Sequence, residues 1–115
     1  MKKLITREAL KGMIDRKEDF ILVDTLSPES YEKEHIPGSI NIPEEDIEMK
    51  AEDLLDKNKD IIVYCGSFEC TMSSHAAEIL NKLGFKNVCD FEGGLQDWKQ
   101  AGFPIVSSAH ATAVC

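Results

Sequence analysis

At 115 residues, 43% apolar and 30% charged, the chain has the make-up of one globular domain, long enough to bury a core without metals or disulfides. Its formal net charge of −8 excludes a general grip on nucleic-acid phosphates, which needs clustered lysine and arginine. No apolar run approaches the roughly 20 residues of a membrane-spanning helix, and the start, Met-Lys-Lys-Leu-Ile-Thr-Arg-Glu, turns acidic before any signal-peptide core, so the cytoplasm is the expected compartment.

The first predicted element is a helix. Thr6 stands as its N-cap, with Leu10, Met13 and Ile14 at helical spacing behind it. Phe20-Ile-Leu-Val-Asp24 is a continuous apolar run of strand length, the pattern of a strand covered on both faces, and it ends in a carboxylate. Ser27-Pro28-Glu29 reads as an N-cap followed by proline at the first helical position, opening a short helix through Tyr31 to about Glu34. Pro37-Gly38 is a turn, and Ser39-Ile-Asn-Ile-Pro43 is a short strand stopped by its proline.

Glu44 to Lys57 reads as a surface helix with acids in its first turn and an apolar stripe of Ile47, Leu54 and Leu55. Ile61 to Tyr64 is a second fully buried strand. Ser73 or Ser74 is the predicted cap of the helix that follows, which runs through Ala76, Ala77, Ile79, Leu80 and Leu83 and stops at Gly84. Asn87 to Phe91 is another strand, Gly93-Gly94 a tight turn, and Leu95 to Ala101 a short helix. Phe103-Pro104-Ile105 closes the core, while 107–115 has small residues without period and reads as a poorly ordered tail. Strands alternating with helices at this spacing predict an α/β domain: an open, mostly parallel five-stranded sheet with helices on both faces.

One stretch carries chemistry. Ile61-Ile-Val-Tyr-Cys65-Gly-Ser-Phe-Glu-Cys70-Thr-Met-Ser-Ser-His75 passes from a strand through a loop of mostly small and polar residues into a helix. In such a passage the loop N–H groups and the helix N-terminus converge on one spot and attract negative charge. A cysteine there is expected to have a lowered pKa, and the thiolate is the reactive form. Cys65 is therefore the predicted nucleophile or covalent carrier. Open parallel sheets bind ligands beyond the carboxyl ends of their strands; Cys65 sits at one such end and Asp24 at another.

Several separated blocks now resemble one family: Val23-Asp24, His35-Ile-Pro-Gly-Ser-Ile-Asn-Ile-Pro43, Ile62-Val-Tyr-Cys65, Leu83-Gly-Phe-Lys-Asn-Val88, Glu92-Gly-Gly-Leu95 with Trp98, and Ala101-Gly-Phe-Pro104. In this order they resemble a single-domain rhodanese, a sulfurtransferase-like domain, from about residue 6 to 106, which makes 1–106 the expected domain. The resemblance implies that Cys65 accepts a sulfane sulfur and carries it as a persulfide. It implies that Gly66, Ser67, Phe68, Glu69, Cys70 and Thr71 cradle the sulfur with backbone N–H groups. It also implies a small sulfur donor or persulfide-bearing protein as one partner, a thiol as the acceptor, and no cofactor.

Two departures stand out. The position five residues after the cysteine, often arginine in this family, is Cys70, and no lysine or arginine occurs from Cys65 to Asn81. The loop is also about two residues longer than the family's usual one, judged from where Ala76-Ala77 falls. Longer loops of this kind belong to phosphatases and arsenate reductases, but those clamp an oxyanion with arginine; Glu69 repels one. Phe68 and Glu69 together suit a neutral, cationic or protein-borne donor.

The remaining candidates are weighed against plainer roles. Cys70 is either an ordinary loop residue or a resolving thiol that forms a disulfide with Cys65. Cys65, Cys70 and His75 form a C-x4-C-x4-H series that lacks a fourth ligand, so no metal site is expected. His75 reads as a surface residue or as a supporting group for the Cys65 thiolate. Asp24 reads as structural support for the loops, His35 as bonded within its own turn, Trp98 as core and Cys89 as inert. Beside the sulfurtransferase reading stand a non-catalytic module docking partners through its acidic surface, and a Cys65/Cys70 dithiol redox protein.

Overall fold

The computed structural model describes residues 3–107. Most of the predicted tail, residues 108–115, lies outside the described residues; Ser107, its first residue, donates its hydroxyl to the Glu32 carbonyl at 3.2 Å. Five strands, β1 (Lys3–Leu4), β2 (Phe20–Asp24), β3 (Ile40–Asn41), β4 (Asp60–Tyr64) and β5 (Val88–Phe91), make one sheet in the order β1-β5-β4-β2-β3. All four pairings are parallel. Between the strands run helices α1 (Arg7–Asp15), α2 (Pro28–Lys33), α3 (Ile47–Leu54) and α4 (Met72–Lys82), and α5 (Gly94–Gln100) follows β5.

The side-chain alternation of the central strands builds two cores. Val23, Ile61 and Val63 point to one face and pack with Ile47, Ala51, Ala76, Ala77 and Leu80 from α3 and α4. Leu22, Ile62 and Tyr64 point to the other and pack with Leu10 of α1 and with Leu95 and Trp98 of α5. Burying such strand residues stabilises the fold by about 1.5–3 kcal/mol each, and burial on both faces is why β2 and β4 read as continuous apolar runs. Trp98 is in the core as expected. Its ring meets Phe91 and Phe103 edge-on, and its indole N–H donates to the Pro104 carbonyl at 2.7 Å.

The caps at Thr6 and Ser27 accept from Ala9 N and Ser30 N as the sequence predicts. Three elements differ. β1 was not expected: at two residues it is too short to show any period. The stretch 44–57 divides into a 3-10 turn at Glu44–Asp46 and then α3, which ends at Leu54. Neither Ser73 nor Ser74 caps α4; the cap position falls at Thr71, which makes no side-chain cap bond, and Ser73 is buried inside the first turn. His35 bonds within its turn, Nδ1 to the Tyr31 carbonyl at 2.6 Å, and stacks on the Tyr31 ring.

The topology fixes where a ligand would sit. From β2 the chain moves outward to β3, whereas from β4 it moves the opposite way to β5. The two connections diverge at the carboxyl ends of β2 and β4, which makes a crevice at the switch point of the sheet.

Candidate functional site

Cys65 stands one residue past the end of β4, on the α4 face that Val63 also addresses, and is fully buried. Its sulfur lies 3.5 Å from the Cys70 carbonyl oxygen and 3.4 Å from the Ser73 hydroxyl, and the thiol can donate to either. A turn closed by Cys70 N donating to the Ser67 carbonyl (3.1 Å) brings Cys70 back over Cys65. Gly66, Ser67 and Cys70 are half-buried, while Phe68, Glu69 and Thr71 are exposed at the tip and exit of the loop.

Helix α5 anchors the other side. Leu95 N donates to the Cys65 carbonyl at 2.9 Å and Gln96 N to the Gly66 carbonyl at 2.8 Å. Each trans peptide directs its N–H opposite to its carbonyl, so the Gly66 and Ser67 N–H groups are aimed away from α5. This approach is open only to glycine at position 94. Its φ is +63°, and a Cβ there would lie 2.4 Å from the Cys65 carbonyl oxygen.

Burial pushes the Cys65 thiol above its ordinary pKa, and the neighbouring Cys70 thiol adds to the rise; the Ser73 hydroxyl and N–H act in the opposite direction. This corrects the expectation of a lowered value. The physical reason is that the loop covers the sulfur and turns a carbonyl oxygen, rather than a full ring of N–H groups, toward it. Ser73, outside the predicted 66–71 ring, supplies the donors that are there.

Of the supporting residues, Asp24 and Cys65 point to different faces. Asp24 pairs with Tyr64 in register and shares its side. Its Oδ1 accepts from Leu26 N at 2.8 Å, and its carbonyl accepts from Asn41 Nδ2 at 3.0 Å, tying together the loops after β2 and around β3. Burial raises its pKa, against the Leu26 N–H and the Tyr64 hydroxyl, which act to lower it. His75 is exposed and directs Nδ1 to the Glu44 carboxylate, so the structure brings Cys65 and Cys70 together but engages the His75 ring elsewhere.

Two cavities flank the loop. One, of about 390 Å³, is lined by Gly66, Leu95, Gln96, Lys99, Gln100 and Glu34. The other, of about 380 Å³, places Phe68 among Leu4, Ile5, Arg7, Glu92 and Asp97, with other β1–α1 residues. The fold thus brings two cations near a loop that has none. Each is engaged by an acid: Lys99 with Glu34 at 2.7 Å, Arg7 with Asp97 at 3.0 Å. Sequence reasoning missed these two, along with Ser73 and Gly94. Only the Gly-Gly pair carried a local signal, that of a close backbone approach.

A parallel α/β sheet carries a cysteine at its switch point, where that cysteine opens a strand–loop–helix passage at the carboxyl end of the sheet. The chain belongs to the rhodanese-like domain family, whose match covers residues 6–101. It is 37% identical over 94 residues to YrkF of Bacillus subtilis (strain 168), a protein whose name describes a sulfur carrier, covering 82% of this chain and 49% of that one. It is 38% identical over 76 residues to the thiosulfate sulfurtransferase PspE of Escherichia coli (strain K12), covering 65% of this chain and 70% of that one. Among solved structures, the rhodanese-like domain of the Anabaena Alr3790 protein superposes with a TM-score of 0.83 at 31% identity, covering 93% of this chain and 80% of that one. The chain spans about half the length of YrkF, so the match concerns this domain. No helix among the described residues is long and apolar enough to cross a membrane.

Proposed function

We propose that the domain is a sulfurtransferase or persulfide carrier in which Cys65 accepts a sulfane sulfur and passes it to a thiol or other nucleophile. The observation that carries this reading is the place of Cys65: it opens the loop between β4 and α4 at the switch point of the sheet, in a family whose named relatives include thiosulfate sulfurtransferases. The Cys65 thiolate attacks the outer sulfur of the donor, the donor's own S–S bond breaks, and the leaving group departs with the bonding pair. Residues 66–71 form the seat of the bound sulfur, with the Gly66 and Ser67 N–H groups aimed away from α5 as its donors. Asp24 acts through the Leu26 loop, as a positioning residue.

The donor class follows from the charges. No cation of the loop meets an oxyanion, and Arg7 and Lys99 are engaged by acids. Phe68 is 68% exposed at the loop tip beside exposed Glu69, an apolar contact suited to a persulfide-bearing protein or a neutral organic persulfide better than to a small dianion. A cytoplasmic setting, where thiols stay reduced, would keep Cys65 available as a nucleophile.

Intact-mass measurement after incubation with thiosulfate and, separately, with an organic persulfide tests the reading. Cys70→Ser, which lacks the second loop thiol, gains one sulfur atom mapped to Cys65, and Cys65→Ser gains none. Equal sulfur uptake by Cys65→Ser refutes it.

A further inference from the structure

We propose that Cys70 is an internal acceptor that discharges the Cys65 persulfide, releasing sulfide and leaving a Cys65–Cys70 disulfide. This rests on the carrier reading above and adds an activity to the same loop.

Geometry supplies the argument. The turn from Ser67 to Cys70 places the Cys70 carbonyl 3.5 Å from the Cys65 sulfur, so the Cys70 backbone already lies within reach of the atom to be attacked. The Cys70 thiol is near enough to be among the causes of the raised Cys65 pKa. Cys65 is fully buried, whereas Cys70 is half-buried. An external acceptor must therefore open the loop to reach the carried sulfur, and Cys70 is inside it. A tether this short gives the internal thiol an effective concentration on the order of millimolar or more.

In the step, the Cys70 thiolate attacks the inner sulfur of Cys65–S–SH. The new bond joins Cys65 Sγ to Cys70 Sγ. The bond to the outer sulfur breaks, and its electron pair leaves with that sulfur as HS⁻. The Cys70 sulfur is oxidised and the outer sulfur reduced, and the proton shed by the Cys70 thiol balances the protonation of sulfide. No other oxidant enters. Resetting needs a thiol or dithiol reductant, which attacks the more exposed Cys70 sulfur and returns Cys65 as the leaving thiol. The disulfide withholds the nucleophile until that reductant arrives, so sulfur transfer becomes linked to the supply of reducing thiol.

The test is a single turnover without external thiol. The 115-residue chain is loaded with an organic persulfide and desalted. Released sulfide is then assayed while peptide mapping follows residues 65 and 70. Wild type is expected to release about one sulfide per carried sulfur and to yield a peptide pair joined through Cys65 and Cys70, two hydrogens lighter than the reduced pair. Cys70→Ser is expected to retain the sulfur on Cys65 and to release sulfide at least about tenfold more slowly. Sulfide release by Cys70→Ser at the wild-type rate overturns the proposal. So does a wild type that keeps its persulfide, and so does migration of the sulfur onto Cys70 as a second persulfide. In those cases loading on Cys65 still stands. If neither protein gains sulfur, the carrier reading itself falls, and this proposal with it.

Discussion

Substitution of Gly94 by alanine tests the claim that α5 holds the reactive loop in place. Alanine is the smallest perturbation that adds a Cβ. At φ +63° an L-residue costs about 1–2 kcal/mol in backbone strain. The added Cβ would also stand 2.4 Å from the Cys65 carbonyl oxygen and 2.9 Å from the Cys65 and Gly66 carbonyl carbons. These atoms are backbone and cannot rotate aside, so the start of α5 must withdraw. Withdrawal strains or breaks the Leu95 N and Gln96 N bonds to the Cys65 and Gly66 carbonyls, each worth about 0.5–1.5 kcal/mol net. Together the losses amount to about 2–5 kcal/mol, at the upper end of what single substitutions do.

Urea unfolding followed by circular dichroism reads the loss. Alkylation of Cys65 under native conditions, followed by mass, reads the local effect. The variant is expected to unfold at lower urea with an unchanged m-value, and Cys65 is expected to be alkylated faster because the covering loop has lost its anchor. If Gly94→Ala lies within about 0.5 kcal/mol of the wild type and its Cys65 remains as protected, then α5 does not hold the loop and the reasoning fails.

Two further predictions concern titration. Ser73→Ala removes the hydroxyl that opposes the rise in the Cys65 pKa, so the pH profile of Cys65 alkylation should move to higher pH; a shift to lower pH contradicts the assigned role. For Asp24, burial raises the folded-state pKa, so stability from this group is fully present below the unfolded carboxylate pKa of about 3.9 and is lost as pH rises through the folded value. Asp24→Asn cannot ionise and escapes that loss. Its stability relative to wild type, from thermal unfolding, should therefore improve as pH rises from about 3 to 7, and a difference that stays flat over that range refutes the assignment.

The readable parts of this molecule were those whose physics is local. Phe20–Asp24 and Ile61–Tyr64 announce buried strands because both of their faces are covered, and Thr6 and Ser27 announce helix starts because their oxygens accept from an N–H three residues on. Cys65 was legible from the change of pattern around it. What was not legible depends on approach between distant segments. Lys3–Leu4 becomes a strand only through its pairing with Cys89 and Asp90. Gly94 matters because of where the Cys65 carbonyl sits, and Ser73, read as a cap candidate, is drawn beneath the thiol. The thiol pKa was misjudged for the same reason. A strand–loop–helix passage predicts converging N–H groups, but burial and the orientation of one peptide, that of Cys70, depend on the folded loop.

That peptide organises the electrostatics of the site. At the start of the loop, α5 takes up the carbonyls of Cys65 and Gly66 and leaves their partner N–H groups free to face a ligand. At its end, the Cys70 N–H is spent on Ser67, and the carbonyl faces the sulfur. Half of the loop therefore presents donors and half an acceptor. An acceptor beside the sulfur favours the S–H form, and so do burial and the absence of any loop cation; only Ser73 opposes them. Burial outweighs Ser73, so the Cys65 pKa lies above its ordinary value. An anionic sulfur held here has the Cys70 carbonyl oxygen against it and the Ser73 hydroxyl in its favour. The Ser67–Cys70 turn also holds the second thiol, so the carbonyl that disfavours an anionic sulfur and the thiol proposed to remove that sulfur belong to one residue, Cys70.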